Sequence, residues 1–142
     1  MNANDRQVGG THYQNSFQHW DLAHELNLGY FEGQISKYVT RHRFKKGRED
    51  AEKALHFTDK LAELVRMHGK LPEHKFITDF RLGDYVVANN LTTEEHRILR
   101  ALFSWATLQD LSMVRLLLIN LIDRTYGIED TGEPGPGYVN QG

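Results

Sequence analysis

The stretch FEGQISKYVTRHRFKKGREDAEKALHFTDKLAELVRMH, residues 31–68, decides the fold. Phe31, Ile35, Tyr38 and Val39 recur at roughly helical spacing and predict a helix from Phe31 to Phe44. Gly47 interrupts the pattern. Beyond it Ala51, Leu55, Thr58, Leu61 or Ala62, and Val65 line one face of a longer helix, Arg48 to His68, with Gly69 as a natural stop. Glu49, Asp50 and Glu52 fall in its first turns, where acids suit the positive helix end. Two helices joined by a short basic turn make a helical hairpin.

Working outward, Trp20 to Leu28 reads as a short helix ended by Gly29, and the first 19 residues read as an irregular arm in which Gly9-Gly10 permits unusual backbone angles. Downstream, Pro72 to Asn90 is ambiguous. Tyr85-Val86-Val87 is β-prone, yet Phe76, Phe80 and Val87 also suit a helix, and the helical neighbours favour helix. Thr92 with Glu95 is a capping-box signal for a helix to Leu102. Leu108 to Tyr126 follows, with Gly127 past its end. Leu111, Val114, Leu117, Leu118, Leu121 and Ile122, together with Met113, Leu116 and Ile119, make this last helix apolar almost all round. It is therefore expected at the centre of the bundle or against another subunit, with Arg115 and Asn120 in need of partners. The expectation is an all-α protein: a small helical bundle on a helical hairpin, with an irregular N-terminal arm, forming a homo-oligomer. Its parts are an arm (1–19), the hairpin region (20–71), C-terminal helices that pack or oligomerise (72–128), and a flexible Gly/Pro-containing tail (129–142).

The chain has 142 residues, enough for one domain with its own core. Its 17 basic and 19 acidic residues leave a net charge of -2, which gives no case for a general nucleic-acid or membrane-surface protein. The lack of cysteine excludes disulfides, zinc–thiolate sites and cysteine nucleophiles. Residues 1–6 lack the apolar core of a signal peptide, and Met113 to Ile122 is too short to span a bilayer. A cytoplasmic protein with no membrane partner is expected, in the host cytoplasm if the chain is phage-encoded. No Walker loop, no Gly-x-Gly-x-x-Gly and no His-Glu-x-x-His occurs, and the serines sit in no nucleophile-elbow context.

The chemistry concentrates between Lys37 and Lys53. Lys37, Arg41, Arg43, Lys45, Lys46, Arg48 and Lys53 face only Glu49, Asp50 and Glu52, a local balance of +4 (7 − 3). Lys37, Arg41 and Lys45 are spaced i, i+4, i+8, which stacks them on one face of a continuous helix. Like charges on one face repel unless an anion shares the site, and a phosphorylated ligand is the simple candidate. The plainer reading is a solvated helix surface whose bases pair with nearby acids. Asp50, with Glu49, could hold Mg²⁺ beside a phosphate or simply cap the second helix. His12 and Tyr13, flanked by Gly10, Thr11 and Gln14, suit a ligand clamp, with Tyr13 and Trp20 available to stack on a base; equally, they could pin the arm to the bundle. His42 and His56 are the other histidines that could face such a site.

Val8-Gly9-Gly10-Thr11-His12-Tyr13-Gln14, Trp20-Asp21, Ile35-Ser36-Lys37-Tyr38-Val39-Thr40-Arg41 and Lys45-Lys46-Gly47 followed by Glu49-Asp50 and Lys53-Ala54 resemble a small phage-protein family first catalogued without a function. The family is similar to the C-terminal part of the nucleotide kinase of T7-like phages. The resemblance spans Val8 to Leu64 and departs at His42-Arg43-Phe44, where the family has a small residue and a glycine. It implies a deoxynucleoside monophosphate kinase that works without a Walker motif, with ATP or a dNTP as donor and Mg²⁺ as cofactor. Arg41, Asp50 and His12 would be catalytic. Gly10, Thr11, Tyr13, Trp20, Lys37, Lys45, Lys46 and Lys53 would contact substrate, and Asp50 and Glu49 would hold the metal. Two alternatives stand beside it: a non-catalytic phage accessory protein that binds nucleotide, nucleic acid or a host protein, and an all-α nucleotide pyrophosphohydrolase. The latter would need paired carboxylates of which Glu49 with Glu52 is only half.

Overall fold

The computed structural model describes residues 15–128, and within them the chain is an all-α bundle. Its helices are α1 (His19–Leu26), α2 (Tyr30–Arg41), α3 (Arg48–His68), α4 (Asp79–Ala88), α5 (Thr93–Leu102) and α6 (Leu108–Tyr126), with a 3₁₀ turn at His42–Phe44. The α2–α3 hairpin is the centre of the packing. α3 also packs on α6, and α5 fills the remaining side between α6 and α2. Ile35 and Val39 of α2 are fully buried against a face of α3 made of Ala51, Ala54, Thr58 and Leu61, small residues that let the two helices approach closely.

The hairpin corner departs from the expected continuous helix. α2 ends at Arg41, three residues before the expected Phe44, and tightens into the 3₁₀ turn. Gly47 then starts α3 at φ 57°, a left-handed angle, and its N–H bonds the carbonyl of His42 at 2.8 Å. Arg48 closes the far side by donating to the carbonyls of Tyr126 and Gly127 at the end of α6.

The segment before α4 corrects the expected helix from Pro72 to Asn90. Only Asp79–Ala88 is helical; the chain from Leu71 to Thr78 is irregular and straps the α1–α2 corner. The Gly29 N–H bonds the Glu73 carbonyl and the Lys75 N–H bonds the Leu26 carbonyl, each at 2.7 Å. The Glu73 N–H reaches the buried Glu32 carboxylate at 3.0 Å, and the same oxygen accepts from the buried Trp105 indole at 3.0 Å. These bonds to distant groups replace the helical ones that Pro72 interrupts. A Cβ on Gly29 would stand 2.5 Å from the Cβ of Glu73. Gly29→Ala is therefore expected to cost about 1–3 kcal/mol in urea denaturation by lifting the strap. Gly33→Ala, whose nearest neighbour lies 4.0 Å away inside α2, is expected to be neutral or stabilising.

α6 is less enclosed than its composition suggests. Leu111, Val114, Leu118, Leu121 and Ile122 are buried, whereas Met113 and Leu116 are half-exposed on the outer face. Arg115 is exposed and pairs with Asp59 of α3 at 2.8 Å, and Asn120 is exposed as well, so neither needs a buried partner. Among the described residues no helix is long and apolar enough to cross a membrane.

Candidate functional site

The hairpin brings part of the predicted cluster together. Lys37 and Arg41 lie one turn apart on α2, and the first turns of α3 place Asp50 and Lys53 opposite them. Arg41 donates through Nε to Asp50 Oδ2 at 3.1 Å, and its terminal nitrogen lies 3.5 Å from Oδ1. Asp50 is fully buried and also accepts the Lys46 backbone N–H at 3.2 Å. Lys53 reaches Asp50 at 4.0 Å and the exposed Glu49 at 3.2 Å. The carboxylate thus braces the basic turn and fixes the direction of the Arg41 fork.

Tyr38 organises the cations. The Lys37 ammonium, the Arg41 guanidinium and the Lys53 ammonium lie 4.7, 4.8 and 5.4 Å from its ring centroid. The ring is stacked on Phe57 of α3, with centroids 6.0 Å apart and planes 10° apart. An aromatic face attracts each cation, and the arrangement gathers three positive charges around one ring, two of which also reach the buried Asp50 carboxylate. Sequence reasoning had Tyr38 as a helix residue and gave Phe57 no role. The i, i+4 spacing of Lys53 and Phe57 was the available signal.

Other predicted members fall elsewhere. Because α2 stops at Arg41, Lys45 leaves the Lys37–Arg41 face, which corrects the expected three-residue stack; Lys45 and Lys46 are exposed on the turn. Trp20 is exposed on the first turn of α1. Gly10, Thr11, His12 and Tyr13 lie outside the described residues. The described chain begins at Asn15, whose amide bonds Asn89 at 3.2 Å, while Arg43 donates to the neighbouring Asn90 carbonyl at 2.6 Å.

His42 does not face the cluster. It is fully buried, with Nδ1 2.6 Å from the Tyr126 hydroxyl and Nε2 2.6 Å from Glu95 Oε2. Arg43 adds a fork to both Glu95 oxygens, at 2.9 and 3.1 Å. This network anchors the turn to α5 and α6. The Thr92–Glu95 capping signal marked Glu95, but no local pattern joins it to His42, 53 positions away. His56 is exposed beside Phe57.

His19 Nε2 lies 2.7 Å from Ser36 Oγ, a pair that looks nucleophilic. The Ser36 hydroxyl, however, donates to the Glu32 carbonyl at 2.7 Å, so the imidazole N–H is the donor and the serine is not activated. The pair pins α1 to α2. Burial, and then the nearby Lys37 charge, hold the His19 imidazole down at about 4. The unfolded chain binds this proton below the ordinary value of 6.5 and the folded chain does not, so stability is expected to fall as pH drops from 6.5 toward 4. The loss is on the order of 3 kcal/mol. Urea denaturation of the protein and of His19→Gln across this range checks it; the variant should lose that slope.

The two carboxylates expected to hold magnesium, Asp50 and Glu49, are engaged by basic groups in this structure. Both Asp50 oxygens face cationic or N–H donors, Glu49 is paired with Lys53, and among the described residues no group of three or more His, Asp or Glu is placed to hold a metal. Two surface clefts lie elsewhere, one at the α1–α2 corner beside Glu73 and His74, the other between the start of α4 and the end of α5 beside Phe76 and Phe103. No family model, curated protein or solved structure matches this chain.

Proposed function

We propose that the flank of the α2–α3 hairpin binds the phosphates of a nucleotide, and that the protein is a deoxynucleoside monophosphate kinase. The observation that carries the reading is the convergence of Lys37, Arg41 and Lys53 on Tyr38, with the buried Asp50 bracing Arg41. Asp50 occupies one side of the Arg41 guanidinium, which keeps its fork fixed for an anion on the other side. Glu49, more than half exposed, can leave Lys53 when a phosphate arrives.

Phosphoryl transfer is compatible with such a site because its catalysis is almost entirely positioning and charge stabilisation. Arg41 and Lys37 hold the transferred group, Lys53 holds the acceptor phosphate, and Lys45 and Lys46 on the turn meet the donor. Asp50 acts through Arg41. His12 and Tyr13, which match the family's His-Tyr pair, are assigned the catalytic and the substrate-contacting part at the acceptor. Magnesium, if carried in by the donor nucleotide, would supply neutralisation of the phosphate charge beside these bases. Self-association uses the outer face of α6, where Met113 and Leu116 are exposed.

The engagement of Asp50 with three donors favours one second reading, a nucleotide binder without chemistry. Calorimetric titration with each dNMP, followed by measurement of ADP formed from ATP and dNMP, separates the two. Binding with turnover supports the kinase, binding without turnover supports the second reading, and no binding removes both.

A further inference from the structure

The cation cluster is one end of a longer surface. Phe57 is the hub of an aromatic group: Tyr30 and Phe31 meet it edge-on at 5.9 and 6.4 Å, and Tyr38 stacks on it. Tyr30 is mostly exposed. Phe31 and Tyr38 lie seven positions apart on α2, which puts them on one face about 10 Å apart. Beyond Phe31 the pattern of charge returns, with the Lys70 ammonium 5.9 Å from the Phe31 ring centroid and paired at 2.8 Å with the exposed Glu73. One flank therefore carries basic groups at both ends and aromatic rings between them.

A mononucleotide has one phosphate end and one base. It would use Arg41, Lys37 and Lys53 with a ring, and leave Lys70 unused. A strand of several nucleotides has phosphates on both sides of its stacked bases and matches the whole row. We infer that this flank holds a short single-stranded oligonucleotide, with a base stacked on the exposed Tyr30 and with backbone phosphates at Lys70 and at the Lys37–Arg41–Lys53 cluster. The net charge of -2 confines the attraction to this flank. Recognition by ring faces and ammonium groups is tolerant of sequence, because every base has a π-face. The inference rests on the phosphate-binding reading of the cluster and adds a second end to it.

The experiment uses the full chain, a fluorescein-labelled ten-residue oligothymidylate read by anisotropy, and dTMP read by calorimetry. The expected result is oligonucleotide binding at least about 10-fold tighter than dTMP and weakening with salt. Tyr30→Ala and Lys70→Ala should each weaken the oligonucleotide by about 5- to 10-fold and leave dTMP unchanged. Both side chains lie on the surface, and circular dichroism confirms that each variant is folded. Oligonucleotide binding no tighter than dTMP, or unaffected by both variants, overturns the inference while the dTMP result leaves the phosphate site standing. Failure of both ligands to bind overturns both.

Discussion

Glu95→Ala is expected to destabilise the protein by about 3–5 kcal/mol in urea denaturation at pH 7, because it takes the acceptor from the buried His42 Nε2, from Arg43 Nε and from the Thr92 N–H. The carboxylate is fully buried. One oxygen takes His42 Nε2 and Arg43 Nε, and the other takes the second Arg43 nitrogen and the Thr92 backbone N–H. Burial pushes the Glu95 carboxyl up, but the hydrogen bonds from His42, Arg43 and Thr92 outweigh it and hold the group down at about 2. This stabilisation is present above the ordinary value of 4.5 and is lost as pH falls from there toward 2, since the unfolded carboxyl takes its proton first. Glu95→Gln keeps the volume and one acceptor, so it should cost less than alanine and flatten stability across that acid range. The His19 loss lies at higher pH, which keeps the two effects apart. A Glu95→Ala cost below about 1 kcal/mol would show that the network is not a keystone.

The parts of the fold legible in the sequence are those with a local physical cause. α3 runs from Arg48 to His68 and α6 from Leu108 to Tyr126, as their periodicity and glycine stops indicate. Thr92 and Glu95 form the expected capping box at α5. The irregular chain before α4 was not legible, because its hydrogen bonds go to Glu32 and to the corner at Leu26 and Gly29, more than 40 positions away. The same cause ended α2 early. His42 is drawn inward by Glu95 and Tyr126, and neither lies near it in sequence. The apolar excess of α6 divides between two faces: three to four apolar residues per two turns fill a core-facing stripe, and Met113 and Leu116 are left on the outer face of the single chain.

Half of the candidate site was legible for the same reason. Helical spacing joins Lys37 to Arg41 and Asp50 to Lys53, and the hairpin carries each pair to the other. The gathering of the cations on Tyr38, and its stacking on Phe57, depends on the relative rotation of two helices, which no spacing along one helix supplies.

Arg41→Ala is expected to weaken dNMP binding by about 100-fold or more, since it removes the planar fork at the centre of the cluster. Arg41→Lys should recover only part of this, because an ammonium keeps the charge but not the bidentate geometry. The alanine variant also leaves Asp50 buried with only the Lys46 N–H and the more distant Lys53, so stability should drop by about 1–3 kcal/mol. That second effect would by itself blur the meaning of lost binding. Combining Arg41→Ala with Asp50→Asn removes the stranded charge and should return much of the stability. The double variant tells a ligand contact from a brace. If Arg41 touches phosphate, calorimetric titration finds the double variant as weak as Arg41→Ala although its urea midpoint has recovered. If binding returns together with stability, Arg41 serves only to hold Asp50 and the turn, and the phosphate-binding reading of the hairpin falls.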